Sequence, residues 1–302
     1  MAQRTVGMIG LGIMGSAMSG NLIRSRFQVI GYDVVPERLR ALEQEGGAAA
    51  RGCEDVADRS TIMVTSLPSA EALLETAAVL VNAAQPNSIV IETSTLPIAV
   101  KEEARKRTAT RGVTLLDCPL SGTGAQARAK DVVVYASGDH EAYNRASEVM
   151  DGFARAHYYV GEFGAGSKMK FVANLLVAIH NVAAAEAMVL GMKAGLDPNV
   201  VLKVVSDGAG ASRMLQVRGP MMVSGDYSDA TMKNETWQKD MTIIGEFARQ
   251  IECPTPLFLA SASLYTAAMA LGRRSEDTAA VCAVLEKMAN YERPVKQGKT
   301  HQ

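Results

Sequence analysis

A lysine and an asparagine lie four residues apart within a long apolar stretch, in a pattern that could support proton transfer. Lys170 and Asn174 would share one face of a helix, because positions i and i+4 are neighbours on its surface. Asn181 returns to the same stripe. Burial or a neighbouring cation lowers the pKa of a lysine from about 10.4 toward neutrality, where the amine can accept a proton. A structural interpretation also stands, in which the amide is buried and the lysine reaches solvent.

A glycine-rich stretch near the N-terminus fits a phosphate-binding loop, because it follows a predicted strand and opens a predicted helix. It matches G-x-G-x-x-G and consists of Gly10, Leu11, Gly12, Ile13, Met14 and Gly15. The first glycine permits the tight turn, the second lets the backbone approach a pyrophosphate, and the third lets helix and strand pack closely. The helix N-terminus then supplies N–H donors to the phosphate charge. The stretch therefore predicts a bound dinucleotide, with an ordinary strand–turn–helix junction as the alternative.

An acidic residue at the end of the second predicted strand indicates which dinucleotide is bound. Asp33 lies 23 positions after Gly10 and could accept hydrogen bonds from the ribose hydroxyls. Its charge would repel a 2′-phosphate, and Val34 and Val35 offer no guanidinium to receive one. Arg38 could do so. The pattern favours NAD over NADP.

The first half of the chain alternates β-branched runs with helical patterns, which predicts a mostly parallel sheet with helices on both faces. The predicted strands are Thr5–Ile9, Gln28–Tyr32, Thr61–Thr65, Ser88–Glu92, Val113–Leu116, Val132–Ala136 and Ala156–Tyr159. The predicted helices are Met14–Ser25, Pro36–Glu45, Ser69–Ala83, Pro97–Ala109 and Glu141–Met150. Pro36 and Pro97 suit the first helical turn, where a missing N–H costs nothing.

After Tyr159 strand signals almost disappear, and apolar residues recur at helical spacing. The predicted helices are Met169–Ala194, Pro198–Asp207, Thr236–Gln250, Pro256–Ala270 and Glu276–Asn290, followed by a polar tail at Lys296–Gln302. We expect an α/β protein: an N-terminal Rossmann domain with a doubly wound sheet (1–163), followed by an all-α domain (164–302) that begins with a long helix.

Composition narrows the function classes. The 302 residues carry a net charge of −1, which argues against a nucleic-acid-binding protein. The four cysteines and four histidines lack metal-ligand spacing, so we expect no metal and a reducing, cytoplasmic environment. The apolar stretch 171–192 contains two asparagines, a histidine and a glutamate, which suit an internal helix better than a membrane span.

Four segments, in order along nearly the whole chain, resemble motifs of the β-hydroxyacid dehydrogenase family. This family includes 3-hydroxyisobutyrate dehydrogenase, tartronate semialdehyde reductase and glyoxylate/succinic semialdehyde reductases. Its G-L-G-x-M-G-x-x-M-x-x-N-L motif is matched by 10–22, and its D-x-P-V-S-G-G motif resembles 117–123. The pattern G-x-x-G-x-G-x-x-x-K-x-x-x-N is matched by 161–174, and a later K-D pair by Lys239 and Asp240. The resemblance aligns the family's catalytic lysine with Lys170 and not with Lys168.

The resemblance implies a fold, a cofactor and a role for each matching residue. It implies a Rossmann domain like the NAD-binding domain of 6-phosphogluconate dehydrogenase, and hydride transfer between NAD and a small 3-hydroxy acid or its semialdehyde. Lys170 would act as general base in oxidation and general acid in reduction, and Asn174 would hold the substrate or orient Lys170. The resemblance also implies a loop that binds the substrate carboxylate, formed by Ser121, Gly122 and Thr123. It implies that Lys239 lies near the cofactor and that Asp240, beside it, contacts the substrate. The nicotinamide side would be lined by Leu67, Pro68 and Thr95.

The same resemblance implies an assembly and leaves two alternatives. The long helix is expected to pack against a partner in a homo-dimer or homo-tetramer. Thr123 replaces the family's second loop glycine and Leu120 replaces its usual valine, so the resemblance does not identify which hydroxy acid is the substrate.

An imine reductase is one alternative function, and it would place another proton donor where this chain has Lys170. A catalytically silent NAD(P)-binding interaction protein would lack that lysine and add further domains.

Overall fold

A parallel sheet forms the centre of the N-terminal part of the computed structural model, which describes residues 4–294. Its strands are β1 (Thr5–Ile9), β2 (Gln28–Tyr32), β3 (Ala48–Ala49), β4 (Ile62–Thr65), β5 (Ile89–Glu92) and β6 (Thr114–Asp117). All five pairings are parallel, in the order β3-β2-β1-β4-β5-β6. This is the strand order of a doubly wound Rossmann sheet, so the predicted fold class is confirmed.

Seven helices and a smaller sheet complete this part of the chain. The helices are α1 (Ile13–Arg24), α2 (Pro36–Gln44), α3 (Cys53–Arg59), α4 (Ala70–Ala83), α5 (Ile98–Ala109), α6 (Gly124–Arg128) and α7 (His140–Phe153). The strands are β7 (Leu120–Ser121), β8 (Val133–Ala136) and β9 (Ala156–Tyr159), with β7–β8 antiparallel and β8–β9 parallel. Pro36 begins α2 as expected, whereas Pro97 immediately precedes α5.

Hydrophobic side chains cover both faces of the main sheet because successive strand residues point in opposite directions. Ile89 and Ile91 belong to one buried cluster, and Val90 between them belongs to another. The predicted strands match the observed ones to within one residue at either end. The short elements β3, β7, α3 and α6 were not predicted, because short elements give a weak periodic signal. The later helix at Arg213–Ser224 was also not predicted, because Gly219 and Pro220 interrupt its helical pattern.

The rest of the described chain is helical. Its elements are α8 (Ala165–Lys193), α9 (Pro198–Asp207), α10 (Arg213–Ser224), α11 (Asn234–Gln250), α12 (Pro256–Ala270), a 3-10 turn at Thr278–Ala280 and α13 (Val281–Met288). The chain divides into two compact units inside α8, one ending at Ala173 and the other beginning at Asn174. The polar tail expected at Lys296–Gln302 lies outside the described residues.

Helix α8 is long and apolar enough to cross a membrane by length and composition alone. Half of its most apolar window is buried by the rest of the protein. That burial is what the core helix of a folded domain shows, and it suits the internal helix expected from the sequence.

A buried ion pair organises the C-terminal unit. Asp277 accepts hydrogen bonds from the backbone N–H groups of Thr231 and Met232, at 2.8 and 3.0 Å. Its Oδ1 lies 3.2 Å from Nε of Arg218, and both side chains are buried. Because each charge has close partners, the pair joins α10 to the turns before α11 and α13 without leaving an isolated buried charge.

Candidate active site

The loop after β1 has the geometry that a phosphate-binding turn requires. Gly10 has φ +89°, and a Cβ there would lie 2.3 Å from the carbonyl oxygen of Ser66. A Cβ on Gly15 would lie 1.9 Å from the carbonyl oxygen of Gly10. Only glycine fits at both positions, because any other residue would overlap backbone atoms that cannot move aside. The first turn of α1 is therefore held directly against the end of β1.

Gly12 differs from these two glycines because the space beside it is open. A Cβ built there would meet no atom within 4 Å. Gly12 directly precedes α1, has no side chain to cap the helix, and the first turn contains no acidic residue. Ile13 is exposed, while Met14 is half-buried. The free space beside uncapped N–H groups fits the pyrophosphate of a dinucleotide.

Asp33 is buried and already has several donors around its carboxylate. The backbone N–H of Leu11 donates to Oδ2 at 2.7 Å, and that of Val35 donates to Oδ1 at 2.9 Å. Arg38 Nη1 lies 3.2 and 3.1 Å from the two oxygens and pairs with them. Asp33 therefore joins the glycine-rich loop to the end of β2, and the half-exposed Arg38 partly neutralises its charge.

The loops after β4 and β5 lie beside the glycine-rich loop. The Leu67 backbone N–H donates to Ser94 Oγ at 2.8 Å, and the Leu67 side chain approaches to 3.4 Å of the position of a Cβ on Gly10. Thr95, next to Ser94, is half-buried, and Pro68 is exposed. These loops follow the carboxyl ends of neighbouring parallel strands, where Rossmann folds bind dinucleotides.

The predicted carboxylate loop contains an unexpected helix cap. Thr123 precedes α6, its hydroxyl accepts from the Gln126 backbone N–H at 3.4 Å, and its own N–H donates to Gln126 Oε1 at 3.0 Å. In this reciprocal capping box the backbone N–H of Thr123 is bonded to the Gln126 side chain of the protein itself. Ser121 and Gly122 are half-buried, and a Cβ on Gly124 would lie 2.4 Å from Ile13, so the loop adjoins the glycine-rich turn.

The structure distinguishes the two lysines at the start of α8. Lys170 is 8% exposed, whereas Lys168 is an exposed residue. A long charged side chain is seldom buried without a specific reason. Asn174, one turn further along the same helix, is also buried. The burial supports choosing Lys170 over Lys168 as the residue with a chemical role.

Asn174 is held by one of the other predicted residues. Its Nδ2 donates to Asp240 Oδ2 at 2.9 Å, and Asp240 is buried on α11. Lys239, beside it, is exposed. Asn181 is placed differently: its Nδ2 donates to Tyr265 Oη at 3.0 Å and to the carbonyl of Thr278 at 2.9 Å. Asn181 therefore joins α8 to α12 and to the turn before α13, which is a structural role.

Two further polar residues lie at the surface. His180 is exposed on the outer side of α8. Arg213 is the first residue of α10 and is also exposed.

Sequence reasoning missed a buried ionic cluster, which consists of Lys101, Glu92 and Asp117. Lys101 Nζ donates to Asp117 Oδ1 at 2.8 Å and lies 2.6 Å from Glu92 Oε2. Burial alone would lower the pKa of Lys101, but the carboxylates of Asp117 and Glu92 outweigh it and raise that pKa. The buried residues of α5 are Lys101, Ala104 and Thr108, which share one stripe, but the helix has almost no apolar face, so its residue pattern carried little signal for this cluster.

Comparisons with known proteins match this architecture. Residues 5–161 match the family model for the NAD binding domain of 6-phosphogluconate dehydrogenase. Residues 164–285 match the model described as NAD-binding of NADP-dependent 3-hydroxyisobutyrate dehydrogenase. The chain is 34% identical over 285 residues to L-threonate dehydrogenase of Cupriavidus necator, covering 93% of this chain and 96% of the relative.

Solved structures agree with the family models. A 3-hydroxyisobutyrate dehydrogenase from Salmonella typhimurium superposes with a TM-score of 0.84 at 29% identity, covering 93% of this chain and 100% of the other. The 3-hydroxyisobutyrate dehydrogenase of Mycobacterium tuberculosis, solved with L-serine, gives a TM-score of 0.85 at 25% identity, covering 94% and 99%. These similar proteins are hydroxyacid dehydrogenases, and both halves of the chain match NAD(P)-binding family models.

The two kinds of glycine in the loop predict opposite outcomes for the same substitution. Gly15→Ala should lower the free energy of unfolding by about 1–3 kcal/mol or more, because the new methyl group overlaps the Gly10 carbonyl. Gly12→Ala should leave stability nearly unchanged but weaken NADH binding by about tenfold or more, because the methyl group enters the open space. Thermal unfolding and NADH fluorescence titration measure the two effects. Full NADH affinity in Gly12→Ala would contradict this placement of the pyrophosphate.

Proposed function

Because the chain belongs to the β-hydroxyacid dehydrogenase family, through its match to 3-hydroxyisobutyrate dehydrogenase, we propose that it is an NAD-dependent dehydrogenase. It oxidises a small 3-hydroxy acid or reduces the corresponding semialdehyde, with Lys170 as general base and general acid. The observation that carries the proposal is the burial of Lys170 on α8, one turn before the buried Asn174, while Lys168 stays exposed.

The glycine-rich turn and its neighbours would hold the cofactor. The open space at Gly12 and the uncapped start of α1 suit the pyrophosphate, Asp33 lies at the end of β2 where a ribose is bound, and Leu67, Pro68 and Thr95 adjoin the same turn. Lys239 is proposed as a further cofactor residue from the family resemblance alone. The bound nicotinamide supplies the hydride acceptor for oxidation and the hydride donor for reduction.

Lys170 moves the proton. In oxidation its neutral amine removes the proton of the substrate hydroxyl as the carbinol C–H bond breaks. In reduction its ammonium stabilises the developing alkoxide and returns the proton to that oxygen. Asn174 offers its Oδ1 as an acceptor that can orient the hydroxyl or the lysine, because its Nδ2 is engaged by Asp240.

The substrate carboxylate is proposed to bind the loop of Ser121, Gly122 and Thr123. Since the Thr123 N–H donates to Gln126, the Ser121 hydroxyl and the Gly122 N–H are the main donors. Candidate substrates follow from what the relatives' names state, namely L-threonate, L-serine and 3-hydroxyisobutyrate. All three carry a hydroxyl and a carboxylate, the two groups that this arrangement addresses.

Replacing Lys170 tests the central role. Lys170→Ala should lower turnover of the accepted hydroxy acid by about 10²–10⁴-fold, because the proton carrier is lost, while NADH affinity stays within a few fold. Lys168→Ala is the matched control and should keep normal turnover, since Lys168 is exposed. The assay screens L-threonate, L-serine and 3-hydroxyisobutyrate and follows the absorbance of the reduced nicotinamide. Unchanged turnover in Lys170→Ala would remove this residue from the mechanism.

Cofactor preference follows from the pairing of Asp33 with Arg38. We expect kcat/KM with NAD to exceed that with NADP by about tenfold or more, because Asp33 repels a 2′-phosphate. Arg38→Ala should lower the remaining NADP activity by about tenfold, because it removes the guanidinium that offsets this charge, and should change NAD activity only slightly. Arg40→Ala, a change to a nearby exposed arginine paired with Glu37, is the control. A preference for NADP in the unaltered protein would overturn the NAD assignment.

We also propose a cytoplasmic homo-oligomer that joins through α8, with 1–163 as the cofactor domain and 164–302 as the oligomerisation domain. Exposed residues on one stripe of this helix support it, and they are Val172, Leu176, Ala183, Ala187 and Leu190. A continuous exposed apolar stripe commonly marks a surface that contacts another protein.

The mass of the protein in solution tests this proposal. Light scattering should give two or four times the monomer mass. Leu190→Glu should lower that mass, and Met288→Glu on α13 should not; a monomeric unaltered protein would contradict the proposal.

A further inference from the structure

The buried ionic cluster of Lys101, Glu92 and Asp117 extends to the first turn of α8. Asp117 Oδ2 accepts from the Ser167 backbone N–H at 2.7 Å, and Asp117 Oδ1 accepts from the Ser167 hydroxyl at 2.8 Å. Ser137 Oγ lies 3.1 Å from the Asp117 carbonyl oxygen and 3.3 Å from Asp117 Oδ2, and it accepts from the Gly166 N–H at 2.9 Å. The carboxylate of Asp117 thus caps the start of α8, where a negative charge interacts favourably with the helix dipole.

The backbone around Gly166 leaves little freedom to this helix start. A Cβ on Gly166 would lie 2.3 Å from the carbonyl oxygen of Tyr135 and 2.6 Å from that of Asp117. The first turn of α8 is therefore in contact with the ends of β6 and β8 as well as bonded to Asp117. Lys170 lies on the same helix, one turn after Ser167.

The other carboxylate of the cluster reaches the loops that adjoin the glycine-rich turn. Glu92 Oε1 accepts from the Ser94 backbone N–H at 2.9 Å, and Ser94 Oγ accepts from the Leu67 N–H at 2.8 Å. Lys101 is therefore connected through Glu92 to the loops that carry Leu67 and Thr95. Through Asp117 it is connected to the helix that carries Lys170.

Stability alone is a weak reason for such a cluster. Three fully buried charges must give up their hydration, and a buried ion pair often stabilises a fold no more than apolar residues of similar size. Directional hydrogen bonds, in contrast, hold neighbouring elements at fixed distances, and proton transfer depends on such distances.

We propose that Lys101 is a positioning residue, which fixes the first turn of α8, and with it Lys170, relative to the loops of Leu67 and Thr95. It acts through Asp117 and Ser167 on one side and through Glu92 and Ser94 on the other. This inference rests on the proposed function for its catalytic consequence, but the mechanical link can be measured without turnover.

Ser167→Ala tests the link to α8 with a small change. It removes the hydroxyl bond to Asp117 but keeps the backbone N–H bond. We expect amide hydrogen exchange in residues 166–170 to accelerate by about tenfold, which corresponds to the loss of one charge-assisted hydrogen bond. Exchange in β1 should not change. Unchanged exchange at 166–170 would overturn the proposal, whatever the activity of the protein.

Lys101→Met with Glu92→Gln tests Lys101 while keeping the cluster's net charge, because one positive and one negative charge are removed together. We expect exchange at 166–170 to rise and kcat with L-threonate and NAD to fall by about tenfold or more, because Lys170 is less well positioned. KM and NADH affinity should stay within about threefold, because Glu92→Gln keeps a side-chain oxygen that can accept from the Ser94 N–H and so hold the loops of Leu67 and Thr95. Lys106→Met, an exposed position on α5, is the control.

The outcomes distinguish a positioning role of Lys101 from a contribution to stability alone, and they test this role separately from the proposed function. A double variant with unaltered kcat and exchange would show that Lys101 has no positioning role. Parallel losses in kcat, NADH affinity and thermal stability would reduce the cluster to a structural one and also overturn the proposal. If the unaltered protein turns over none of the three hydroxy acids, the proposed function fails, and the exchange measurements still decide whether Lys101 holds α8.

Discussion

Two helices of this protein begin where a Cβ atom would collide with the backbone of a neighbouring strand end. Helix α1 packs against the end of β1 because Gly15 lies beside the Gly10 carbonyl, and α8 packs against β6 and β8 because Gly166 lies beside the carbonyls of Asp117 and Tyr135. These approaches place helix N-termini at the carboxyl edge of the sheet, where backbone N–H groups and their dipoles can act on charged groups. One helix faces the proposed pyrophosphate site, and the other carries Lys170.

The two starts are stabilised in different ways, and the difference follows from their proposed roles. Helix α1 lacks an acidic residue in its first turn and a side-chain cap, which leaves donors for a phosphate. The start of α8 is capped from within the protein by Asp117, whose charge is balanced by Lys101. A site that binds an anion must keep donors available, whereas a helix that positions a proton carrier gains from having its donors satisfied.

Much of the fold could be predicted from local patterns. The strands β1, β2 and β9 have the predicted limits, and the alternation of strands and helices indicated the parallel sheet. The two-residue strands β3 and β7 and the helix α6 were missed, because elements this short carry almost no period. Within the site, the spacing of the glycines indicated the cofactor loop. The reciprocal bonds of Thr123 with Gln126 were not predicted, although threonine followed three positions later by glutamine is a capping-box pattern.

The sequence by itself determined the family and indicated the order of the longer elements and the glycine-rich loop, because each depends on residue types at characteristic spacing. The assignment of Lys170 rather than Lys168 is a proposal that rests on one of the same motifs. Only the tertiary structure decided which polar groups meet: Lys101 with Asp117, Arg38 with Asp33, and Asp240 with the amide of Asn174. Many charged side chains were available in each segment, and local spacing treats them alike. Partners 16 and 66 residues apart come together only once strand ends and helices have packed, since hydrogen bonds and ion pairs act over a few ångströms in space.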